Sequence, residues 1–239
     1  MTYPKYLEFL IKELNKNKIK ITKVFFAIFI SLLIFSCVTI LKNSIENEIR
    51  DNSRVLLGGD LELSTKNKAL DLIFLDELKE SFFMTKVIEF TSIIRTKSED
   101  SKTTRIKVID DFYPLVGNAI VKPENSLEIL KTKANTILVD KATQNNLELK
   151  MGETIKIQNT SFEIIGVIES LPDIGGFFLF GDQALINASS FKDLKINNLG
   201  SFFVFKYKLL KKDNNQGLLN SFSKNKNLEI KYPDDVSQN

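Results

Sequence analysis

The sequence contains no histidine and a single cysteine, Cys37. Histidine is the base of serine-type catalytic triads, and histidine and cysteine are the usual ligands of structural zinc. An internal disulfide needs a second cysteine. These absences exclude triad hydrolases that depend on histidine, zinc sites of histidine and cysteine, and an internal disulfide. Nothing in the sequence predicts a cofactor or a metal ion.

The sequence also lacks a complete P-loop. Within "LPDIGGFFLFGDQALI", residues 171–186, Gly176 and Gly181 have the G-x-x-x-x-G spacing of that loop. The next residues are Asp182 and Gln183, where a P-loop needs a lysine for the phosphates and a hydroxyl for Mg²⁺. Because an aspartate would repel phosphate, we expect no nucleotide site here.

Other catalytic patterns are equally incomplete. The S-x-x-K matches at Ser189–Lys192 and Ser221–Lys224 have no S-D-N or K-T-G partner. Asp110 and Asp111 form the most prominent acidic pair, but neighbouring residues at a strand end point apart, so we expect a solvated turn. The sequence therefore predicts a protein that is not an enzyme.

Charge is concentrated at the N-terminus. Residues 1–23 hold six lysines and two glutamates, a net +4, whereas the whole chain carries +3, so the remainder carries −1. A net charge this close to zero does not favour nucleic acid as a partner of residues 24–239.

Residues 24–41, "VFFAIFISLLIFSCVTIL", contain no charged side chain. A helix of this length covers about 27 Å and nearly spans a hydrocarbon core of about 30 Å. A cleaved signal peptide would need a shorter apolar region and small residues at a cleavage site, which are missing. "IFSC" at residues 34–37 is similar to a lipoprotein box, but the apolar run continues past Cys37. The segment is predicted to be an uncleaved transmembrane helix.

The lysines before this helix predict a cytoplasmic N-terminus, with residues 42–239 outside. Residues 1–23 form a basic amphipathic segment, with an apolar helical face over residues 3–14 that can rest on lipid or bind a cytoplasmic partner. Residues 42–58 are predicted to extend the membrane helix as a stalk, which Gly58 and Gly59 end. Residues 59–239 form the extracytoplasmic domain.

The outer domain mixes strands and helices. Apolar periodicity predicts strands over 60–64, 86–96, 103–109, 136–139, 154–158, 162–168, 201–209 and 228–232, and helices over 69–81, 141–147 and 216–222. Two pairs of strands read as hairpins, and this favours an antiparallel or mixed α+β domain over a parallel α/β sheet.

Three stretches together resemble the FtsX/MacB-type ABC transporter permeases, in particular the YbbP-like branch. They are "RVLLGGDLEL" at 54–63, "ILVDKATQNNLELKMGETIKIQNTSFEIIGVIES" at 137–170 and "PDIGGFF" at 172–178. The resemblance implies one transmembrane helix followed by a mixed α+β domain of the MacB periplasmic-core type. It covers essentially the whole chain.

The resemblance also implies partners. Members of this family work with a cytoplasmic P-loop ATPase, whose closure moves the membrane helices and the outer domain, and they export or release lipids, lipoproteins or peptides. Further permease helices or a second permease copy, and membrane lipid, are the other implied partners. Family members carry more membrane helices than this sequence does, so we expect a truncated or split permease.

The "PDIGGFF" stretch is the candidate contact site. Its proline and glycines suit a turn that leaves the preceding hairpin, and in the extended run that follows, alternate side chains face opposite sides. One face is expected in the core, and the other is expected to contact a second permease domain or a lipid-like cargo. The candidate contact residues are Pro172, Asp173, Gly175, Gly176, Phe177 and Leu179.

Two alternatives remain open from the sequence. The first is a stand-alone protein with one membrane helix, whose outer domain acts as an adaptor or sensor. The second is an anchored hydrolase, for which Ser189 and Ser221 are the only serines with a pattern behind them.

Overall fold

The computed structural model describes residues 16–173, 182–194, 202–212 and 228–236. The chain divides into two compact units, residues 1–48 and 49–239. The amphipathic pattern at residues 3–14 lies outside the described residues.

The first helix, α1 (Lys18–Asp51), has 34 residues. It begins in the first unit and ends just inside the second. Within the described residues it is the one helix long and apolar enough to cross a membrane, by length and composition. The hydroxyls of Thr22, Ser31 and Thr39 donate to carbonyls four residues earlier, at 2.8–2.9 Å. Each hydroxyl is therefore satisfied inside the helix, as a lipid-facing polar group requires.

A short helix, α2 (Ser53–Leu57), follows α1 after Asn52. Gly58 ends it in the left-handed conformation, with φ of +80°, and its amide donates to the carbonyls of Arg54 and Val55. A glycine here avoids the steric cost that a Cβ would bring. A helix ends at Gly58, as predicted, but the stalk predicted as one helix over residues 42–58 is interrupted at Asn52, between α1 and α2.

The second unit is a mixed sheet flanked by short helices. Its described strands are β1 (Leu61–Lys66), β2 (Phe82–Arg95), β3 (Ser101–Ile109), β4 (Ile120–Lys122), β5 (Thr136–Asp140), β6 (Thr154–Ile157), β7 (Thr160–Ser170), β8 (Gln183–Asn187), β9 (Val204–Lys211) and β10 (Glu229–Lys231). Its described helices after α2 are α3 (Leu72–Ser81), α4 (Ser126–Thr132), α5 (Lys141–Asn146), α6 (Ala188–Asp193) and α7 (Pro233–Val236).

The strands are ordered β10-β1-β9-β2-β3-β8-β5-β7-β4, and β6 pairs with both β2 and β7. Through β6, the six strands β2, β3, β8, β5, β7 and β6 form a closed ring of hydrogen-bonded neighbours. The β3–β8 and β5–β7 pairs are parallel and the others in the ring are antiparallel. The mixed α+β class predicted from the sequence is confirmed.

Each strand of the ring sends apolar side chains into one shared core. Phe90, Phe191 and Phe203 pack there with ring centroids 5.5–5.9 Å apart. A second core lies on the opposite face of the sheet under α4, and a third lies between α3 and strands β1 and β9. The apolar packing leaves one part of the second face to charged side chains, and these form the site described next.

Candidate functional site

Charged side chains line one face of the four neighbouring strands β1, β9, β2 and β3. In the sheet register, Glu62 of β1 lies opposite Lys208 of β9, and Glu89 of β2 lies opposite Lys107 of β3. Lys206 is two residues from Lys208 and so points to the same side. Glu62, Lys107 and Lys208 are nearly inaccessible to solvent.

The carboxylate of Asp173 lies among these lysines. Asp173 follows β7, and its side chain is 2% exposed. Lys107 Nζ donates to Oδ1 at 3.0 Å, and the Tyr113 hydroxyl donates to the same oxygen at 2.5 Å. Lys208 Nζ is 3.1 Å from Oδ2, but no donor among the described residues meets hydrogen-bond geometry at that oxygen. Lys208 therefore holds Oδ2 through charge rather than through a directed hydrogen bond.

These contacts determine the ionisation of the Asp173 carboxyl and of the Tyr113 phenol. Burial by itself would raise the pKa of Asp173, but the charges of Lys107 and Lys208 and the Tyr113 hydrogen bond outweigh it, and the pKa lies well below its ordinary value. Burial raises the pKa of Tyr113 well above 10, and the neighbouring Asp173 charge raises it further. At neutral pH the carboxylate is charged and the phenol is protonated.

Lys208 joins this group to the end of α2. Its Nζ donates to the Leu57 carbonyl at 2.5 Å and lies 3.2 Å from Glu62. A helix leaves its last carbonyls without internal partners, and here a buried ammonium binds one of them. The same side chain therefore contacts the last turn of α2, strand β1 and Asp173.

Lys206 and Glu89 complete the arrangement with an ion pair of 2.9 Å. Burial opposes ionisation of both, but for Lys206 the charges of Glu62 and Glu89 prevail and raise its pKa. For Glu89 the charges of Lys206 and Lys107 prevail and lower its pKa.

We call these six residues the stalk-end cluster: Glu62, Glu89, Lys107, Asp173, Lys206 and Lys208. Three carboxylates and three ammonium groups make it electrically neutral. The shifts found at Asp173, Glu89 and Lys206 all favour the charged form, so none of these groups is poised to exchange a proton near pH 7. The arrangement can hold elements together.

Two glycines allow the close packing around the cluster. A Cβ on Gly58 would lie 2.9 Å from Lys208 Cδ and 3.2 Å from Asp173 Cβ. A Cβ on Gly117 would lie 2.6 Å from Pro172 Cβ and 2.8 Å from a methyl of Val55. The end of α2, the loop after β3 and the residues after β7 therefore meet at one point.

The structure places only two of the candidate contact residues. Pro172 is buried against Gly117, and the Asp173 side chain is buried in the stalk-end cluster. Their positions give both an internal packing role, and contact with a partner stays a prediction. Gly175, Gly176, Phe177 and Leu179 lie outside the described residues.

Sequence reasoning missed the partners of Asp173. Lys206 and Lys208 stand at alternate positions in "SFFVFKYKL", residues 201–209, which was predicted as a strand, so their shared face was readable. Nothing in the sequence indicated that Lys107 and Tyr113 lie beside Asp173. Only the sheet order, in which β3 is separated from β9 by β2, brings these side chains close to the lysines of β9.

The prediction for Asp110 is wrong. It is not a solvated turn residue, since its carboxylate accepts hydrogen bonds from the Thr85 hydroxyl and from the amides of Lys86 and Phe112, at 2.5–3.1 Å. Burial raises its pKa, although these hydrogen bonds oppose the shift. Its role is to join the end of β3 to the start of β2. Asp111, by contrast, is exposed.

Ser189, the serine of the first S-x-x-K match, takes part in the cap of α6. The Ser189 hydroxyl donates to Asn187 Oδ1 at 2.9 Å, and the same oxygen accepts from the Ser190 amide as the cap of α6. Ser221 and Lys224 lie outside the described residues. Among the residues that the structure does describe, no three acidic, histidine or cysteine side chains are grouped to hold a metal ion.

The sequence and the fold can be compared with those of known proteins. Residues 24–216 match the family model of the MacB-like periplasmic core domain. The chain belongs to this family. The MacB-like domain is also similar in structure to the periplasmic region of MacB from Actinobacillus actinomycetemcomitans, with a TM-score of 0.54 at 16% identity, over 80% of this chain and 96% of the other. That likeness concerns the fold.

A curated relative extends the family assignment. The MacB-like chain is 23% identical over 180 residues to YbbP of Escherichia coli K12, an ABC transporter permease described as uncharacterized. The match covers 74% of this chain and 22% of YbbP. The chain thus spans about a fifth of the length of this relative. Family membership and the apolar helix α1 fit a location in the inner membrane.

Proposed function

We propose that this chain is the N-terminal permease portion of an ABC transporter, which couples a cytoplasmic P-loop ATPase to an extracytoplasmic domain. The coupled event is export or release of a lipid, a lipoprotein or a peptide. The chain itself catalyses no reaction. ATP hydrolysis belongs to the partner, and the remaining permease helices or a second permease copy complete the membrane part.

The observation that carries this proposal is the match of residues 24–216 to the MacB-like periplasmic core domain. The bond between Lys208 and the Leu57 carbonyl supports the coupling part of it. α2 is the last helical turn before the sheet, and it reaches the sheet through a side chain that is 3% exposed. Gly59 adds a second close contact, because a Cβ there would lie 2.7 Å from the Leu209 carbonyl. A helix fixed so firmly to the sheet can pass a displacement on to it.

The charge distribution supports the orientation. The net +4 of residues 1–23 favours retention of the N-terminus in the cytoplasm, where an ATPase binds nucleotide. The outer domain then lies on the far side of the membrane, and its similarity in fold to the periplasmic region of MacB supports this orientation.

The test is co-expression of the full chain with the P-loop ATPase and the permease segments encoded beside its gene. We expect one complex in detergent, whose ATP hydrolysis in nanodiscs changes when Asp173 is replaced by Asn. Asp111→Asn is the matched control, because Asp111 is an exposed acid in the same domain.

Two results would overturn the proposal. One is a gene neighbourhood without a P-loop ATPase and without further membrane helices. The other is a purified chain that binds no ATPase while its outer domain remains folded.

A further inference from the structure

Lys208 holds two parts of the outer domain that are far apart in sequence. Its ammonium group contacts the Leu57 carbonyl at the end of α2 and also the Asp173 carboxylate after β7. Glu62 is its third neighbour, at 3.2 Å. A single charge cannot move away from one of these oxygens without altering its attraction to the others.

Asp173 has little room to compensate for such a movement. Its side chain is 2% exposed, and Oδ2 has no hydrogen-bond donor among the described residues. If Lys208 follows α2, the carboxylate is left with Lys107 and the Tyr113 hydroxyl, both on Oδ1. The hydrogen bond between Tyr113 and Asp173 is therefore sensitive to the position of Lys208.

We propose that Lys208 is a positioning residue that transmits the position of the end of α2 to Asp173 and, through it, to the segment after β7. In this arrangement a displacement of the last turn of α2 changes how the "PDIGG" segment is held at its first residues. The inference rests on the proposed coupling function, since it names the contact through which a displacement would pass. Its test needs no ATPase, so either proposal can fail while the other stands.

Gly58 offers a way to displace Lys208 from the α2 side. A Cβ at this position would lie 2.9 Å from Lys208 Cδ and 3.0 Å from its Nζ, so Gly58→Ala must push the lysine. Gly152 is the matched control, because it has nearly the same φ, +81°, but a Cβ there would meet nothing within 4 Å. Both glycines have a left-handed φ that strains an alanine, but only the Cβ at position 58 meets Lys208 and, at 3.2 Å, Asp173 Cβ.

The measurement is ¹⁹F NMR of the full chain in detergent, with 3-fluorotyrosine at its five tyrosines. The Tyr113→Phe variant assigns the resonance of Tyr113. We expect Gly58→Ala to shift this resonance by more than its linewidth and Gly152→Ala to leave it in place. In a Lys208→Met background, the shift caused by Gly58→Ala should disappear.

An unshifted Tyr113 resonance in Gly58→Ala overturns the inference. So does a shift that persists in the Lys208→Met background, because the displacement would then reach Asp173 directly through the new Cβ, 3.2 Å from Asp173 Cβ, or through Val55, Gly117 and Pro172. If Lys208→Met does not fold by circular dichroism, Asp173→Asn replaces it. In the Asp173→Asn background the acceptor is uncharged, and Gly58→Ala should no longer shift the Tyr113 resonance. A shift that remains there contradicts the inference.

Discussion

At the residue scale, the carboxylate of Asp173 balances two buried lysines, Lys107 and Lys208. Taking three charged groups out of water is costly, and the cost is offset only while every charge keeps its partner. Replacement of the carboxylate by an amide leaves two ammonium groups without their shared counter-charge. We expect Asp173→Asn to lower the free energy of unfolding of the outer domain by about 3–5 kcal/mol, measured by urea denaturation.

The control for this substitution is Asp111→Asn, which removes an exposed carboxylate of the same domain and should change stability by no more than about 0.5 kcal/mol. Equal effects of the two substitutions would contradict the assigned role of Asp173.

The pH dependence follows from the same contacts. The folded-state pKa of Asp173 lies below its unfolded value of about 4, so its contribution to stability is complete above that pH and is lost as the pH falls toward the folded-state pKa. The stability difference between the natural chain and Asp173→Asn should therefore narrow below about pH 4. A constant difference down to pH 2 would disagree with this assignment.

At the element scale, two helix-capping residues differ in the number of helices that they hydrogen-bond. Asn187 caps α6 through the Ser190 amide, and its Nδ2 also donates to the Leu130 and Lys133 carbonyls at the end of α4. Asp140 caps α5 through the Thr143 amide alone. One side chain thus joins two helices, and the other serves one.

We expect Asn187→Ala to destabilise the outer domain by about 2–4 kcal/mol, because it removes a cap and leaves buried carbonyls unpaired. Asp140→Ala should cost about 1 kcal/mol, which is typical for a cap by itself. Denaturation of both variants measures the difference. If the two substitutions cost the same, the bonds from Asn187 to α4 contribute nothing to stability.

Local patterns predicted some elements and missed others. Both hairpins, β2–β3 and β6–β7, were predicted from alternating apolar residues and a polar turn, and they are present. β8 was missed, because four of its five residues are buried. Ala184 and Ile186 pack in the first core and Leu185 in the second, so apolar and polar residues do not alternate. α4 was also missed.

At the scale of the whole molecule, the apolar helix and the lysines before it make a topology prediction. Alkaline phosphatase fused after Asp60 should be active, because the outer domain is expected outside the cytoplasm, whereas fusion after Lys16 should give an inactive enzyme. Deletion of residues 25–33 shortens the apolar run below the length that spans a bilayer, and should abolish activity at Asp60. An inactive enzyme at Asp60, in a fusion that still fractionates with the membrane, would reverse the orientation.

The sequence by itself determined the membrane helix, the break after α2, the mixed α+β class and the family resemblance. These depend on runs, periods and turn residues that are contiguous in the chain, so local physical chemistry reveals them. Only the tertiary structure decided that Asp173 lies between Lys107 and Lys208, and that Lys208 binds the end of α2. The four positions come from α2, β3, β9 and the residues after β7. They meet because strand order and register place them together, and no short-range pattern records that order.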